Sequence, residues 1–214
     1  MMGDRDYRTS ITSAIDSIIK ESEIKIGEPD NNKAIFVHEV ARCLRRSYFD
    51  RFDRKESENK FFGDLFGSLI RKLSYGSKIG EFDIEDIKLK GQADMIVDDI
   101  VMIFRMVSLP PEVPFASDIL YINACMWIFN KTESVVIYIT NDGRESSFSI
   151  LRDKKMFEEV IRRIRVFSNL IAEKKIPILE PSIECSTCQY YERCYIKKQE
   201  GKQFSISELF GIKK

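Results

Sequence analysis

The sequence predicts an α/β fold in which helices come first, a mixed central sheet flanked by helices fills the middle, and a cysteine-bearing tail closes the chain. Three observations carry this expectation. Apolar residues recur at helical spacing near the start. Short runs rich in branched residues, some with period-two alternation, occupy the centre. Three of the five cysteines then gather within "CSTCQYYERC" near the end.

From Arg8 to Lys20, the spacing of Ile11, Ile15, Ile18 and Ile19 predicts an amphipathic helix. After the polar break "GEPDNNK", further helices are predicted over "VHEVARCLRRSYFDRF" and "FFGDLFGSLIRKLS". The texture then changes. "EFDIEDIKLKG" alternates as one half-buried strand does, and "QADMIVDD" and "IVMIFRMV" read as sheet strands. Beyond the breaker "SLPPEVP", "SDILYINACMWIF" is long enough for a buried helix. "SVVIYIT", "NDGR" and "ESSFSIL" read as a hairpin with its turn. A helix from about Asp153 to Glu173 carries Phe157, Val160, Ile164, Phe167 and Ile171 on one face, with Arg162, Arg163 and Arg165 on its exposed side. "KKIPILEPSIE" leads extended into the cysteines. The expected organisation is a helix and linker over 1–32, a core over 33–176 and a cysteine-bearing tail over 177–214, integrated into one domain.

At 43% hydrophobic and 11% aromatic, 214 residues can bury a proper core, which argues against disorder. The 34 Lys and Arg cancel the 34 Asp and Glu, so any surface that binds an anion must be local. No apolar run approaches the ~20 residues of a membrane span. The N-terminus lacks the apolar core of a signal peptide, so a cytoplasmic protein is expected. In that compartment clustered cysteines hold metal more often than they form disulfides.

Cys185, Cys188 and Cys194 have the spacing C-x2-C-x5-C, in which two thiolates grip one centre through a tight turn. Three ligands leave a position open, and the candidates for a fourth are Cys43, Cys125 and the sole histidine, His38. Cys125 lies in an apolar helix and reads as a buried, inert thiol. Cys43 sits among Arg42, Arg45 and Arg46, whose charges favour a thiolate. Spacing alone does not choose between zinc and iron–sulfur.

One cysteine in "CLRRSYFDR", together with three in "PSIECSTCQYYERC", resembles the CRISPR-associated RecB-like exonucleases (the Cas four family) of the PD-(D/E)XK nuclease superfamily. The resemblance runs from about Ile35 to Tyr195. It implies a PD-(D/E)XK-type core closed by a [4Fe–4S] staple, with Cys43, Cys185, Cys188 and Cys194 as cluster ligands. It also implies a site for Mg²⁺ or Mn²⁺ that cuts DNA. Most of that catalytic set is missing here. "GSLIR" offers Gly67 but places Arg71 at the family's histidine, while "GQAD" keeps Gly91 and Asp94. "MIFRM" puts Ile103 at the acid and Arg105 at the lysine, and "YINAC" puts Tyr121 and Cys125 at the glutamine and tyrosine.

An isoleucine cannot ligate a hard cation, and a guanidinium cannot exchange a proton with water. Asp94 is therefore left with a residual metal role at most, and the expected pocket is cationic. Asp98, Asp99, Glu81 and Glu85 are the nearby acids considered as migrated replacements for the lost ligand, although Asp98 and Asp99 read more simply as turn residues. Arg42, Arg45, Arg46, Arg71 and Arg105 are candidate DNA-binding cations. The first three are expected on one helix face beside Arg51 and Arg54, with Tyr48 and Phe49 as rings for stacking. The function expected is DNA binding, to single strands or ends, or an accessory role with CRISPR adaptation proteins, without catalysis. The alternatives are an active single-stranded DNA exonuclease with relocated ligands and a zinc-stapled interaction module.

Overall fold

The structure is a computed structural model and describes residues 13, 17, 27–54 and 78–195. The chain divides into two compact units, Met1–Glu180 and Pro181–Lys214. Of the helix expected over Arg8–Lys20, only Ser13 and Ser17 are described, both helical. The helix expected over "FFGDLFGSLIRKLS", with Gly67 and Arg71, lies outside the described residues. Among those residues, no helix is long and apolar enough to cross a membrane.

The first unit is a mixed α/β structure. It opens with β1 (Ala34–Phe36), α1 (Val37–Ala41) and α2 (Leu44–Phe52). The single helix expected over "VHEVARCLRRSYFDRF" is thus two. Arg42 is extended (φ −108°, ψ −171°) and Cys43 is the N-cap of α2. The break has local causes. The Arg42 side chain turns to Asp50 (2.6 Å) and Ser47 (3.0 Å), and Arg163 donates to the Val40 and Arg42 carbonyls that α1 leaves open (2.5 and 2.6 Å). Arg42 is therefore not on the helix that carries Arg45 and Arg46, and Arg163 does not lie on the exposed side of its own helix. At the start of α1, Glu39 accepts the Phe36 N–H at 2.8 Å, as a third-position glutamate does in a capping box.

Glu39 also anchors Arg51 in a fully buried pair. The Arg51 guanidinium spends its remaining donors on the carbonyls of Glu28 (3.1 Å), Asn31 (2.8 Å) and Ala34 (2.9 Å). A charge satisfied this completely is a clamp between the chain's beginning and α2, not a nucleic-acid contact. Tyr48 (7% exposed) and Phe49 (1%) are buried too, so neither offers a ring for stacking on bases.

The strands follow as β2 (Lys78–Ile84), β3 (Ile87–Ala93), β4 (Met95–Val97) and β5 (Ile100–Met106). The one strand expected over "EFDIEDIKLKG" is a hairpin whose two-residue turn places Glu85 at φ 56°. The sequence marks the turn only by two consecutive acids, Glu85 and Asp86, which shift the apolar positions from 82 and 84 to 87 and 89. Next come α3 (Ala116–Ile128), β6 (Glu133–Ile139), β7 (Glu145–Leu151) and α4 (Lys154–Ala172). Asp153 caps α4, accepting from the N–H groups of Lys155 and Met156. Phe157, Val160, Ile164, Phe167 and Ile171 are all buried, as the periodicity predicted.

Instead of one central sheet, hydrogen bonding forms two: β1-β3-β2 and β4-β5-β6-β7. Both are mixed, since β1 runs parallel to β3 and β5 parallel to β6, while the other pairs are antiparallel. Helix α3 makes the crossover from β5 to β6. It packs Ile122, Cys125 and Met126 against Ala93, Val101, Ile103, Val136 and Tyr138. It also lies on the other sheet, where Gly80 and Gly91 are paired across β2 and β3. A Cβ at Gly80 would sit 2.6 Å from Ile128 Cγ2 and 2.7 Å from Phe129 Cε1, so absent side chains let the helix approach. Gly80→Ala is expected to lower stability by about 1–3 kcal/mol through overpacking, read as a shifted midpoint in denaturant unfolding.

Candidate functional site

The site is built where the chain changes sheets. Between β3 and β4 the backbone bends at Asp94, whose side chain is 12% exposed. There the Asp94 carboxylate takes over from the strand ladder: the Phe104 N–H of β5 donates to Asp94 Oδ2 at 2.9 Å. The carboxylate thereby joins the two sheets.

Arg105 follows on β5, on the same face as Val101 and Ile103. Its Nε donates to Asp118 Oδ1 at 2.7 Å, its Nη1 donates to the Phe104 carbonyl at 3.2 Å, and Nη1 lies 4.0 Å from Asp94 Oδ2. The guanidinium covers the Tyr121 ring at 5.0 Å. Burial works against the Arg105 charge, but Asp118, Tyr121 and Asp94 outweigh it and hold the group more firmly protonated than usual. Asp118 comes from the first turn of α3. Its other oxygen accepts from the Tyr138 hydroxyl at 2.8 Å, and that hydroxyl accepts the Phe115 N–H at 3.0 Å. Arg105 and Tyr138 are register partners across β5 and β6, so the strand pairing and the crossover helix assemble the network together. Burial foremost, and then Asp118, raises the Tyr138 hydroxyl above its ordinary value.

Tyr121 donates to the Gln92 carbonyl at 2.5 Å, and Cys125 Sγ faces the same oxygen at 3.7 Å. Burial pushes the Cys125 thiol up to about 12 and likewise raises Tyr121, so Cys125 is the inert core thiol its apolar surroundings predicted. A cleft of about 240 Å³ shares Tyr121 with this cluster and is lined by Phe36, His38, Glu81, Lys90 and Gln92 among others.

One guanidinium thus faces two carboxylates, leaving the centre formally one negative charge in excess rather than cationic. Ile103 lies in the core at 0% exposure and supplies no oxygen. None of the four acids considered as substitutes reaches Asp94. Asp99 pairs with Lys131 (2.6 Å), Glu85 with Arg165 (2.6 Å) and Glu81 with Lys90 (3.2 Å), while Asp98 takes the turn conformation at φ 51°. The carboxylate that does join the centre is Asp118. Sequence reasoning missed it because an acid in a helix's first turn is common for dipole reasons alone. A divalent ion does not fit these side chains as they stand, because Asp94 Oδ2, both Asp118 oxygens and the Phe104 carbonyl are already engaged by donors.

Among the candidate cations of α2, Arg45 reaches the Pro177 carbonyl at 3.5 Å and lies 5.8 Å from the centre of the Phe49 ring. Arg46 is half-buried on the same helix. Cys43 belongs to the first unit. In the second unit a 3₁₀ turn, Ile183–Thr187, holds Cys185, with Cys188 as its C-cap and Cys194 on α5 (Tyr191–Tyr195). The Ser182 N–H donates to Cys185 Sγ at 3.3 Å. That bond first, and the Tyr195 hydroxyl second, lower the Cys185 thiol below its ordinary value. Donors aimed at sulfur are the environment a metal thiolate needs, so this turn fits a cluster ligand chemically. Among the described residues no three or more His, Cys, Asp and Glu gather as a metal-holding group.

No family model and no curated protein matches the sequence. Among solved structures the chain is similar to SSO0001, with a TM-score of 0.63 and 19% identity over 86% of this chain and 96% of that one. It is also similar to the alkaline exonuclease LHK-Exo of Laribacter hongkongensis (TM-score 0.47, 11% identity, 74% of this chain and 93% of that one). A phage-related exonuclease of Haemophilus somnus 129PT scores 0.43 at 14% identity, over 64% and 83% of the two chains. The first likeness establishes a shared fold. The other two score below 0.5 and fix nothing further.

The thiols give a direct check in metal-free protein. Cys185, with its lowered pKa, should alkylate with iodoacetamide at a pH below that of an ordinary thiol. Cys125, raised to about 12, should stay unlabelled until denaturant is added. Mass spectrometry of the labelled peptides along a pH series reads both.

Proposed function

We propose that the protein is a catalytically silent relative of the CRISPR-associated RecB-like exonucleases. In this reading it binds DNA, at single strands or ends, without cutting it, and serves as an accessory to adaptation proteins. The observation that carries the silence is on β5. The position of the family's acid is Ile103, sealed in the core, and the position of its lysine is Arg105, bound to Asp118 and close to Asp94. Hydrolysis at neutral pH needs a metal-activated water or a base that can accept a proton, and neither residue offers that. With the charge of Arg105 neutralised internally, phosphate contacts fall to Arg45 and Arg46 on α2 and to Arg71.

The same reading assigns Cys43, Cys185, Cys188 and Cys194 to a [4Fe–4S] cluster. What supports it is the cysteine frame of the sequence together with the donor-rich setting of Cys185. A closed four-thiolate cluster would supply a structural staple. Anaerobically purified protein should be brown and contain iron. Cys43→Ser should lose the iron and lower the melting temperature. Zinc in its place would establish the stapled interaction module, and unchanged iron in Cys43→Ser would remove Cys43 from the site.

Incubated with labelled single-stranded DNA and Mn²⁺, the protein should retard the strand without degrading it. Affinity should fall steeply with salt, and Arg46→Ala should flatten the slope of log K against log salt by about 1. Asp118 beside the same guanidinium favours a second reading, an active exonuclease with relocated carboxylates. Mn²⁺-dependent degradation abolished by Asp94→Ala would establish that reading and sink the first.

A further inference from the structure

The Mg²⁺ or Mn²⁺ of the nuclease-type centre does not fit this chain, and the way it fails to fit is specific. We propose that Arg105 is a resident cation: its guanidinium stands between Asp94 and Asp118 in place of a divalent ion. The protein takes no metal there, and withdrawing the guanidinium opens a site for a hard divalent cation. The inference deepens the reading above and rests on it for equating this cluster with the nuclease-type centre. Its test requires no DNA.

The argument begins with electrostatics. Asp94 and Asp118 have side chains only 12% and 11% exposed, and they flank one cation. Two carboxylates this poorly hydrated need a positive charge between them. Arg105 supplies it with a directed fork: Nε to Asp118 Oδ1 (2.7 Å), and Nη1 near Asp94 Oδ2 (4.0 Å) and bonded to the Phe104 carbonyl (3.2 Å). The atoms that meet the guanidinium are thus three oxygens, two from carboxylates and one from a carbonyl. That donor set is the kind a hard dication takes up and completes with water.

The surroundings hold those oxygens in place without help from Arg105. The Tyr138 hydroxyl fixes Asp118 through its other oxygen at 2.8 Å, and the Phe104 N–H fixes Asp94 at 2.9 Å. In metal sites such outer hydrogen bonds orient the ligands. Removing the guanidinium leaves the carboxylates oriented and uncompensated, whereas truncating either carboxylate leaves only one.

Mn²⁺ is the probe, because a hard cation discriminates against the thiolates of the tail. Binding is followed by the loss of the free Mn²⁺ electron paramagnetic resonance signal and, independently, by the rise in melting temperature. Folding is monitored by circular dichroism. The wild-type protein should take up no Mn²⁺ at this centre. Arg105→Ser should gain affinity by about 100-fold or more, the least expected from withdrawing a unit positive charge within a few Å of a dication at protein-like dielectric. Arg105→Lys, which retains a cation, should not gain it. Arg105→Ser combined with Asp118→Asn should lose it again.

Two results overturn the proposal. One is wild-type uptake of Mn²⁺ that Asp94→Asn abolishes. The other is a folded Arg105→Ser protein that takes up none. If Arg105→Ser does not fold, Arg105→Gln keeps a donor toward Asp118 while removing the charge, and its uptake decides in the same way. Failure of the DNA-binding assay leaves this result standing, since metal uptake is measured without DNA.

Discussion

A strand that must leave one sheet and join another loses its hydrogen-bond ladder at the crossing, and here the Asp94 carboxylate fills the gap by accepting the Phe104 N–H. Everything at the site follows from that substitution. It fixes β5 against the end of β3, and β5 then presents Ile103 to the core and Arg105 to the crossover helix. The glycine pair beneath Ile128 lets α3 lie close enough for Asp118 and Tyr121 to meet the guanidinium. Backbone satisfaction and site geometry are one problem in this fold, solved by a single carboxylate.

The chemistry a guanidinium supplies differs in kind from that of a bound dication. A dication binds oxygens from any direction, polarises water and leaves coordination positions for substrate. A guanidinium satisfies oxygens in one plane, stays protonated and activates nothing. If Arg105 stands in for a dication, as proposed, the buried carboxylates keep their charge balance without a metal-activated water. Asp94 has a structural role of its own, holding the Phe104 N–H.

The second unit obeys a different logic. Its thiols are partly exposed on short turns, and Cys185 is stabilised as a thiolate by a backbone N–H and a tyrosine hydroxyl. Cys125, the same residue type inside an apolar helix, is driven the other way, chiefly by burial. The two settings separate the activated thiol of Cys185 from one that serves as packing.

By itself the sequence determined what depends on local periodicity and local chemistry. It settled the amphipathic face of α4, the extended character of the central region though not its strand bounds, the turn at Asp98–Asp99, the inert Cys125, and the absence of an acid at Ile103. Each is readable because the responsible residues lie within a few positions of one another. Where the break was marked by little, by the two adjacent acids Glu85 and Asp86 or not at all at Arg42–Cys43, the sequence read one element and the fold made two. Only the tertiary structure decided how the charges pair. Arg105 meets Asp118 across 13 positions and Asp118 meets Tyr138 across 20, distances closed by a parallel strand pairing and the helix between. Arg51 likewise looked like part of a basic surface until its partner, 12 positions upstream, was buried with it. A charge's role depends on what faces it after folding, and no spacing along the chain encodes that.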